Sequence, residues 1–174
     1  MTLTAAQSSP DPEPDEPVVG GADSPAAGSL EAAIALARAA HSGQVDKLGG
    51  DYIDHPLGVM GLVHTVPEKI VAVLHDVVED TSVTLDDLRA QGYAEPLVRA
   101  VDALTKRAGE SLADSMARVA ADPLALIVKH ADLAHNANPA RQAALPAETS
   151  ERLTAKYEES ARLLGTTLAA VLDR

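Results

Sequence analysis

Apolar residues recur along this chain at spacings of three and four, and they almost nowhere alternate with polar ones. That period belongs to amphipathic helices rather than strands, so the expected class is all-α. Ser29 is placed to cap a first helix that runs to about His41, with Ile34, Ala37 and His41 on one face. Gly43, Gly49 and Gly50 then make a loop, and Pro56 falls in the first turn of a second helix carrying Leu57, Met60 and Leu62. Pro67-Glu68 opens a third, whose core face is Ile70, Val73, Leu74 and Val77. Thr84 starts a short helix that ends before Gly92. Further periodic stretches cover residues 95–106 and, less sharply, 111–120. Asp122-Pro123 begins a helix through Leu126, Ile127 and Val128 that Pro139 limits. A last helix is expected from Ala147 through Leu153, Tyr157, Leu164 and Leu168 to Leu172.

The first 27 residues break this pattern. They hold five prolines and the acids Asp11, Glu13, Asp15, Glu16 and Asp23, with no Lys or Arg, as Pro10, Pro12, Pro14, Pro17 and Pro25 punctuate the run. Such a segment buries too little apolar surface to offset its ordering entropy, so residues 1–27 read as a disordered tail and 28–174 as one domain.

Composition narrows the function. The formal net charge is −12, which opposes binding to nucleic acid or to anionic membranes. With Tyr52, Tyr93 and Tyr157 as its only Phe, Trp or Tyr residues, the chain lacks a stacking platform for single strands. It has no Cys, which excludes disulfides and thiolate metal sites and fits a reducing compartment. No apolar run reaches the ~20 residues of a membrane span, and no signal-peptide pattern opens the chain. A cytoplasmic protein is expected, with oligomerisation left open.

One apolar run carries ionisable groups that a core helix does not ordinarily tolerate. In Val71-Ala-Val-Leu-His-Asp-Val-Val-Glu-Asp80, His75 and Glu79 are four apart, as are Asp76 and Asp80. Each pair therefore shares a helix face, and an unpaired buried charge is strongly disfavoured. A bound cation is the simplest compensation. Asp132 poses the same question within Leu126-Ile-Val-Lys-His-Ala-Asp132. His55, His75, Asp76 and Asp132 are candidates for one metal site. Imidazole nitrogen with carboxylate oxygen suits Mn²⁺, Fe²⁺, Co²⁺ or Zn²⁺ better than Ca²⁺. Metal-assisted hydrolysis is the chemistry that follows, with Glu79 and Asp80 placed to orient or deprotonate water. The plainer reading of the same residues is a set of buried salt bridges.

Several motifs together resemble the HD superfamily. They are Ala40-His41, Gln44, Lys47, Tyr52-Ile53-Asp54-His55-Pro56-Leu57, Leu74-His75-Asp76-Val77-Val78-Glu79-Asp80-Thr81, Leu104-Thr105-Lys106 and Val128-Lys129-His130-Ala131-Asp132-Leu133-Ala134-His135-Asn136. More narrowly, they are similar to the guanosine tetraphosphate (ppGpp) hydrolase domain of Rel/SpoT proteins and their small single-domain relatives. The resemblance covers roughly residues 29–142, about two thirds of the chain. It implies an HD-type helical bundle and an alarmone hydrolase of the stringent response, usually Mn²⁺-dependent, that removes pyrophosphate from the 3′ position. It implies His55, His75, Asp76 and Asp132 as ligands, Glu79 and Asp80 as the water-activating acids, and Lys47, Tyr52, Lys129 and Asn136 around the nucleotide.

The chain departs from the family at four places. Asp46 stands where the family has an arginine that stacks on the base, Leu48 and Asp51 replace a small polar residue and a proline, and Leu133 replaces a basic residue. An anion for a cation beside an anionic substrate is not conservative. Read this way, Asp46→Arg should raise activity on ppGpp. The same departures favour an alternative substrate, another nucleotide or small phosphate ester, and a non-catalytic HD sensor module is the remaining alternative. His41, His64, His130 and His135 read as packing, surface or hydrogen-bonding histidines, and Arg141 has no assigned role.

Overall fold

The structure is a computed structural model, and it describes residues 25–173. Among these residues all regular structure is helical apart from one isolated bridge, Val45 to Asp51, which closes a loop. The helices are α1 (Leu30–Ala40), α2 (Asp54–Gly61), α3 (Val66–Leu74), α4 (Val77–Asp80), α5 (Leu85–Ala90), α6 (Glu95–Leu104), α7 (Leu112–Ala120), α8 (Pro123–Asn136), α9 (Pro139–Ala143), α10 (Ala147–Leu163) and α11 (Leu168–Leu172). None of them is long and apolar enough to cross a membrane. The tail expected over residues 1–27 lies outside the described residues as far as 24.

The sequence signals set most boundaries. Ser29 accepts the Ala32 N–H at 3.1 Å, and Thr65 with Glu68 and Thr84 with Asp87 form complete capping boxes. Helix α3 is apolar all round its last five residues, Ile70 to Leu74, and every one is buried. A helix of that kind belongs at the centre, and α3 packs against α1, α2, α6 and α8. Helix α8 has two buried faces. Ala125, Val128 and Ala131 enter the main core, while Leu133 and Ala137 meet Leu153, Tyr157, Ala161 and Val171 in a second cluster. Leu133 is only 1% exposed, so it holds α10 and α11 onto the bundle. Burying a leucine this fully contributes roughly 1.5–3 kcal/mol.

Two expected helices are each divided. The third does not run on to Val77: α3 stops at Leu74, and α4 restarts after His75 and Asp76. His75 Nδ1 lies 2.6 Å from the Ala72 carbonyl oxygen, the acceptor that an uninterrupted helix offers to the Asp76 N–H. The side chain thus competes with the helix for its own backbone. The last helix ends at Leu163 because Gly165, at φ +75°, permits a left-handed turn. Thr166 N–H reaches the Ala161 carbonyl at 3.0 Å and Gly165 N–H the Arg162 carbonyl at 3.1 Å, the paired bonds of a Schellman motif. Pro139 does limit α8, and it also opens α9 behind the cap Asn138.

Candidate active site

His55 stands at the start of α2, His75 and Asp76 in the break after α3, and Asp132 on α8. The break matters because it turns two consecutive side chains inward together. His55 Nε2 lies 3.3 Å from Asp132 Oδ1 and 3.6 Å from Asp76 Oδ2, and His75 Nε2 lies 3.0 Å from Asp76 Oδ2 and 3.9 Å from Asp132 Oδ1. Ligand atoms of His55, His75 and Asp76 fall within 4.8 Å of one another, and Asp132 closes the fourth side through the two histidines. The four candidate ligands are thus brought together from three elements.

Both imidazoles are oriented from behind. His75 Nδ1 is engaged by the Ala72 carbonyl, which makes it the protonated nitrogen and leaves Nε2 facing the carboxylates. That Nε2 is buried, and despite its nearness to Asp76 it makes no well-directed hydrogen bond. Such geometry is expected of two ligands around a common third atom. His55 Nδ1 lies 2.9 Å from His135 Nδ1. Burial, with His55 and the Arg141 guanidinium nearby, lowers His135 to about 4, so its ring is neutral and can accept the N–H of His55 Nδ1. Burial alone would lower His75 too, but the Asp76 carboxylate outweighs it and raises His75 to about 9. Burial would raise Asp76, yet the histidine beside it holds the carboxyl far below its usual range. The carboxylates demand positive charge at this point, which a proton or a metal ion supplies. The donor set and its orientation fit a divalent ion.

Gly58 carries no signal in the sequence that points to a role. A Cβ there would overlap the His135 ring, which is the ring that orients His55. Gly58→Ala is expected to leave the fold intact and weaken Mn²⁺ binding by roughly 10-fold or more, the scale for disturbing a ligand's outer partner. Calorimetric titration with Mn²⁺ checks this, and an unchanged affinity would separate His135 from the site.

The remaining candidates surround the cluster. The Tyr52 hydroxyl lies 2.7 Å from Asp76 Oδ2 and 2.9 Å from Asp80 Oδ2, so its single proton serves one carboxylate at a time. Lys129 Nζ donates to Asp132 Oδ2 at 2.7 Å, and Asn136 Nδ2 donates to the other oxygen of Asp132. Tyr52, Lys129 and Asn136 therefore reach the cluster through its carboxylates. Glu79 Oε2 accepts the Lys106 backbone N–H at 2.8 Å. The Lys106 loop is in turn fixed by Arg118, which donates to the Asp102 and Ala103 carbonyls and pairs with Glu110. His41 is buried, bonds Gln44 at 2.8 Å and stacks near Tyr52, while His64 is exposed.

The four candidate ligands, with Tyr52, Glu79, Asp80, Lys129 and Asn136, open on one cavity of about 540 Å³. One end carries the His–Asp cluster with Glu79 and Asp80. Lys47, Lys106, Lys129, Arg141 and Lys156 also line it, a concentration of cations in a chain of net charge −12. Burial and the nearby Lys129, Lys106 and Lys47 hold the Lys156 ammonium below its ordinary range. Lys156 lies beyond the stretch that the motifs covered, and only the folding of α10 over α8 brings it here.

Asp46 does not present a bare negative charge to this cavity. Its Oδ1 accepts the Leu48 and Gly50 N–H groups at 2.8 and 3.0 Å, and its Oδ2 accepts from Arg141 at 2.8 Å. The expectation that arginine at 46 improves the pocket is corrected accordingly, because the change removes three bonds and sets a second cation against Arg141. Asp46→Arg is expected to destabilise the fold by about 2 kcal/mol, roughly 4–8 °C in melting temperature. A thermal melt showing no loss would contradict this account of the loop. Leu133, another departure, packs in the α10 cluster and also lines the cavity, and Leu48 lines the small recess beside it.

No family model matches the chain. Among curated proteins it is 30% identical over 141 residues to a probable GTP pyrophosphokinase of Mycobacterium leprae, covering 70% of this chain and 18% of that protein. It is 31% identical over 122 residues to the bifunctional (p)ppGpp synthase/hydrolase SpoT of Escherichia coli K12, covering 62% and 17%. The chain thus spans less than a fifth of the length of these curated relatives. A solved structure described as a metazoan ortholog of SpoT that hydrolyzes ppGpp superposes with a TM-score of 0.69 at 21% identity, covering 87% of this chain and 95% of the other. The fold is shared with that structure, and on sequence the chain resembles the Rel/SpoT proteins, as its motifs implied.

Proposed function

We propose that residues 28–174 form an HD-type hydrolase domain that removes pyrophosphate from the 3′ position of guanosine tetra- or pentaphosphate. One observation carries the reading: a His–Asp cluster built for a divalent ion shares a cavity with five cationic side chains. An acidic pole for the ion and a basic pole for phosphates suit a polyphosphorylated nucleotide. The relatives' names include both ppGpp hydrolysis and synthesis. The groups gathered in this chain favour hydrolysis, since the acids Glu79 and Asp80 stand beside the cluster, where one can take a proton from water and the other orient it.

In this reading His55, His75, Asp76 and Asp132 hold the ion, and the resemblance singles out Mn²⁺ among the divalent ions that their mixed nitrogen and oxygen donors fit. That ion supplies Lewis-acid chemistry, withdrawing charge from a phosphoryl oxygen and making water more acidic. Glu79 takes the proton from the attacking water. One of its oxygens is fixed by the Lys106 N–H, and the other is left to face the cavity. Asp80 is engaged by Tyr52 and orients rather than accepts. Lys47, Lys106 and Lys156 neutralise the phosphates, and Lys129 and Asn136 fix Asp132. Water attacks phosphorus, the bond from phosphorus to the 3′ oxygen breaks, a proton passes to that oxygen to leave a 3′ hydroxyl, and GDP (or GTP from the pentaphosphate) and pyrophosphate leave. The net charge and the absence of Cys support action on a free nucleotide in the cytoplasm.

A panel of guanosine tetraphosphate, 5′-nucleotides and cyclic nucleotides, assayed with Mn²⁺, tests the proposal. Pyrophosphate from the tetraphosphate is the expected result. Orthophosphate from a monoester would move the site to another substrate, and no turnover with any divalent ion would make it a sensor.

A further inference from the structure

The turn after α8 brings to the cavity a cation that no motif announced. Arg141 on α9 donates from Nη2 to Asp46 Oδ2 across 95 residues of chain. Asp46 is itself fixed by the Leu48 and Gly50 N–H groups. The next residue, Gln142, donates to the Asn136 carbonyl at 2.7 Å and accepts the Ser150 hydroxyl at 2.9 Å, so α9 is tied to α8 and α10. A guanidinium held this way has lost most of its rotamer freedom before any ligand arrives. One nitrogen is committed to Asp46, and the flat face and the remaining N–H groups are left over.

What surrounds Arg141 is mixed. It lines both the main cavity and a small recess beside it, with Leu48, Leu145, Leu153 and Tyr157 on the apolar side and Lys47, Asn136 and Gln142 on the polar side. A base has apolar faces and a polar edge, and such walls offer partners to both. Lys47, Lys106 and Lys156, in the same cavity, form no ion pair among the described residues and remain available to phosphates.

We propose that Arg141, positioned by Asp46, is the specificity-determining residue that takes the nucleobase, stacking a planar heteroaromatic ring on its guanidinium. The proposal rests on the reading of the cavity as a nucleotide site. Lysine cannot replace it, because an ammonium offers charge without a face.

Calorimetric titration of GDP, and separately of inorganic pyrophosphate, into wild type, Arg141→Gln, Arg141→Lys and Asp46→Asn tests it without turnover. Both Arg141 variants should bind GDP at least ~10-fold more weakly, the scale of losing a stacked base, with pyrophosphate binding changed less than about twofold. Asp46→Asn should lose several-fold in GDP affinity, since Arg141 remains but is less firmly held. With ppGpp as substrate, the loss in Arg141→Gln should fall on KM rather than kcat. Equal losses for GDP and pyrophosphate, full rescue by lysine, or no GDP binding by wild type would overturn the assignment. If GDP binding depends on Arg141 but wild type releases no pyrophosphate from ppGpp, the hydrolase reading fails and this one stands. If wild type hydrolyses ppGpp and Arg141→Gln keeps its KM, the reverse holds.

Discussion

Asp76→Asn should abolish Mn²⁺ binding and turnover while leaving a folded protein. Asp76 is one of two carboxylates that both histidines approach, at 3.0 Å from His75 and 3.6 Å from His55. Asparagine keeps the shape and an oxygen acceptor for Tyr52, but it removes the charge that pairs with a cation. Losing an outer partner of a metal ligand costs about 10–100-fold, so losing a charged ligand should exceed that, with turnover down by ~10³-fold or more. Metal content, melting temperature and rate measured on one preparation check this. A folded variant that still holds one equivalent of ion would remove Asp76 from the centre.

Glu79→Gln should keep the ion and lose the reaction. The glutamine oxygen can still accept the Lys106 N–H, so the loop and the side chain stay where they are. What disappears is the ability to take a proton, a contribution of about 10²–10⁴-fold. The loss should therefore fall on kcat, with metal content and melting temperature unchanged. An unaltered kcat would pass the proton to Asp80 or to solvent. The comparison of the two variants separates holding the ion from handling water.

Most helices were legible because their ends carry local chemistry. Ser29, Thr65 and Thr84 act on backbone groups within three residues, and such signals are complete in the sequence. The break at His75-Asp76 was not legible, because it depends on an imidazole competing for the Ala72 carbonyl. The division at Gly165 was legible in principle, but the leucine period continues across it and masks the stop. At the site, the motifs marked His55, His75, Asp76 and Asp132, and their inward convergence is seen in the fold. Arg141 and Lys156 escaped because their meaning comes from distant partners: Asp46 lies 95 residues from Arg141. Gly58 escaped for the same reason, since what it makes room for is His135. Asp46 was the most misleading position, for a lone anion in a sequence says nothing of the cation that the fold lays against it.

The most direct test of the central claim is the identity of the products. Guanosine tetraphosphate incubated with the protein and Mn²⁺, and followed by phosphorus NMR, should give GDP and pyrophosphate in equal amounts, and chelation of the ion should stop the reaction. Release of orthophosphate, or turnover that survives full removal of divalent ions, would contradict the account.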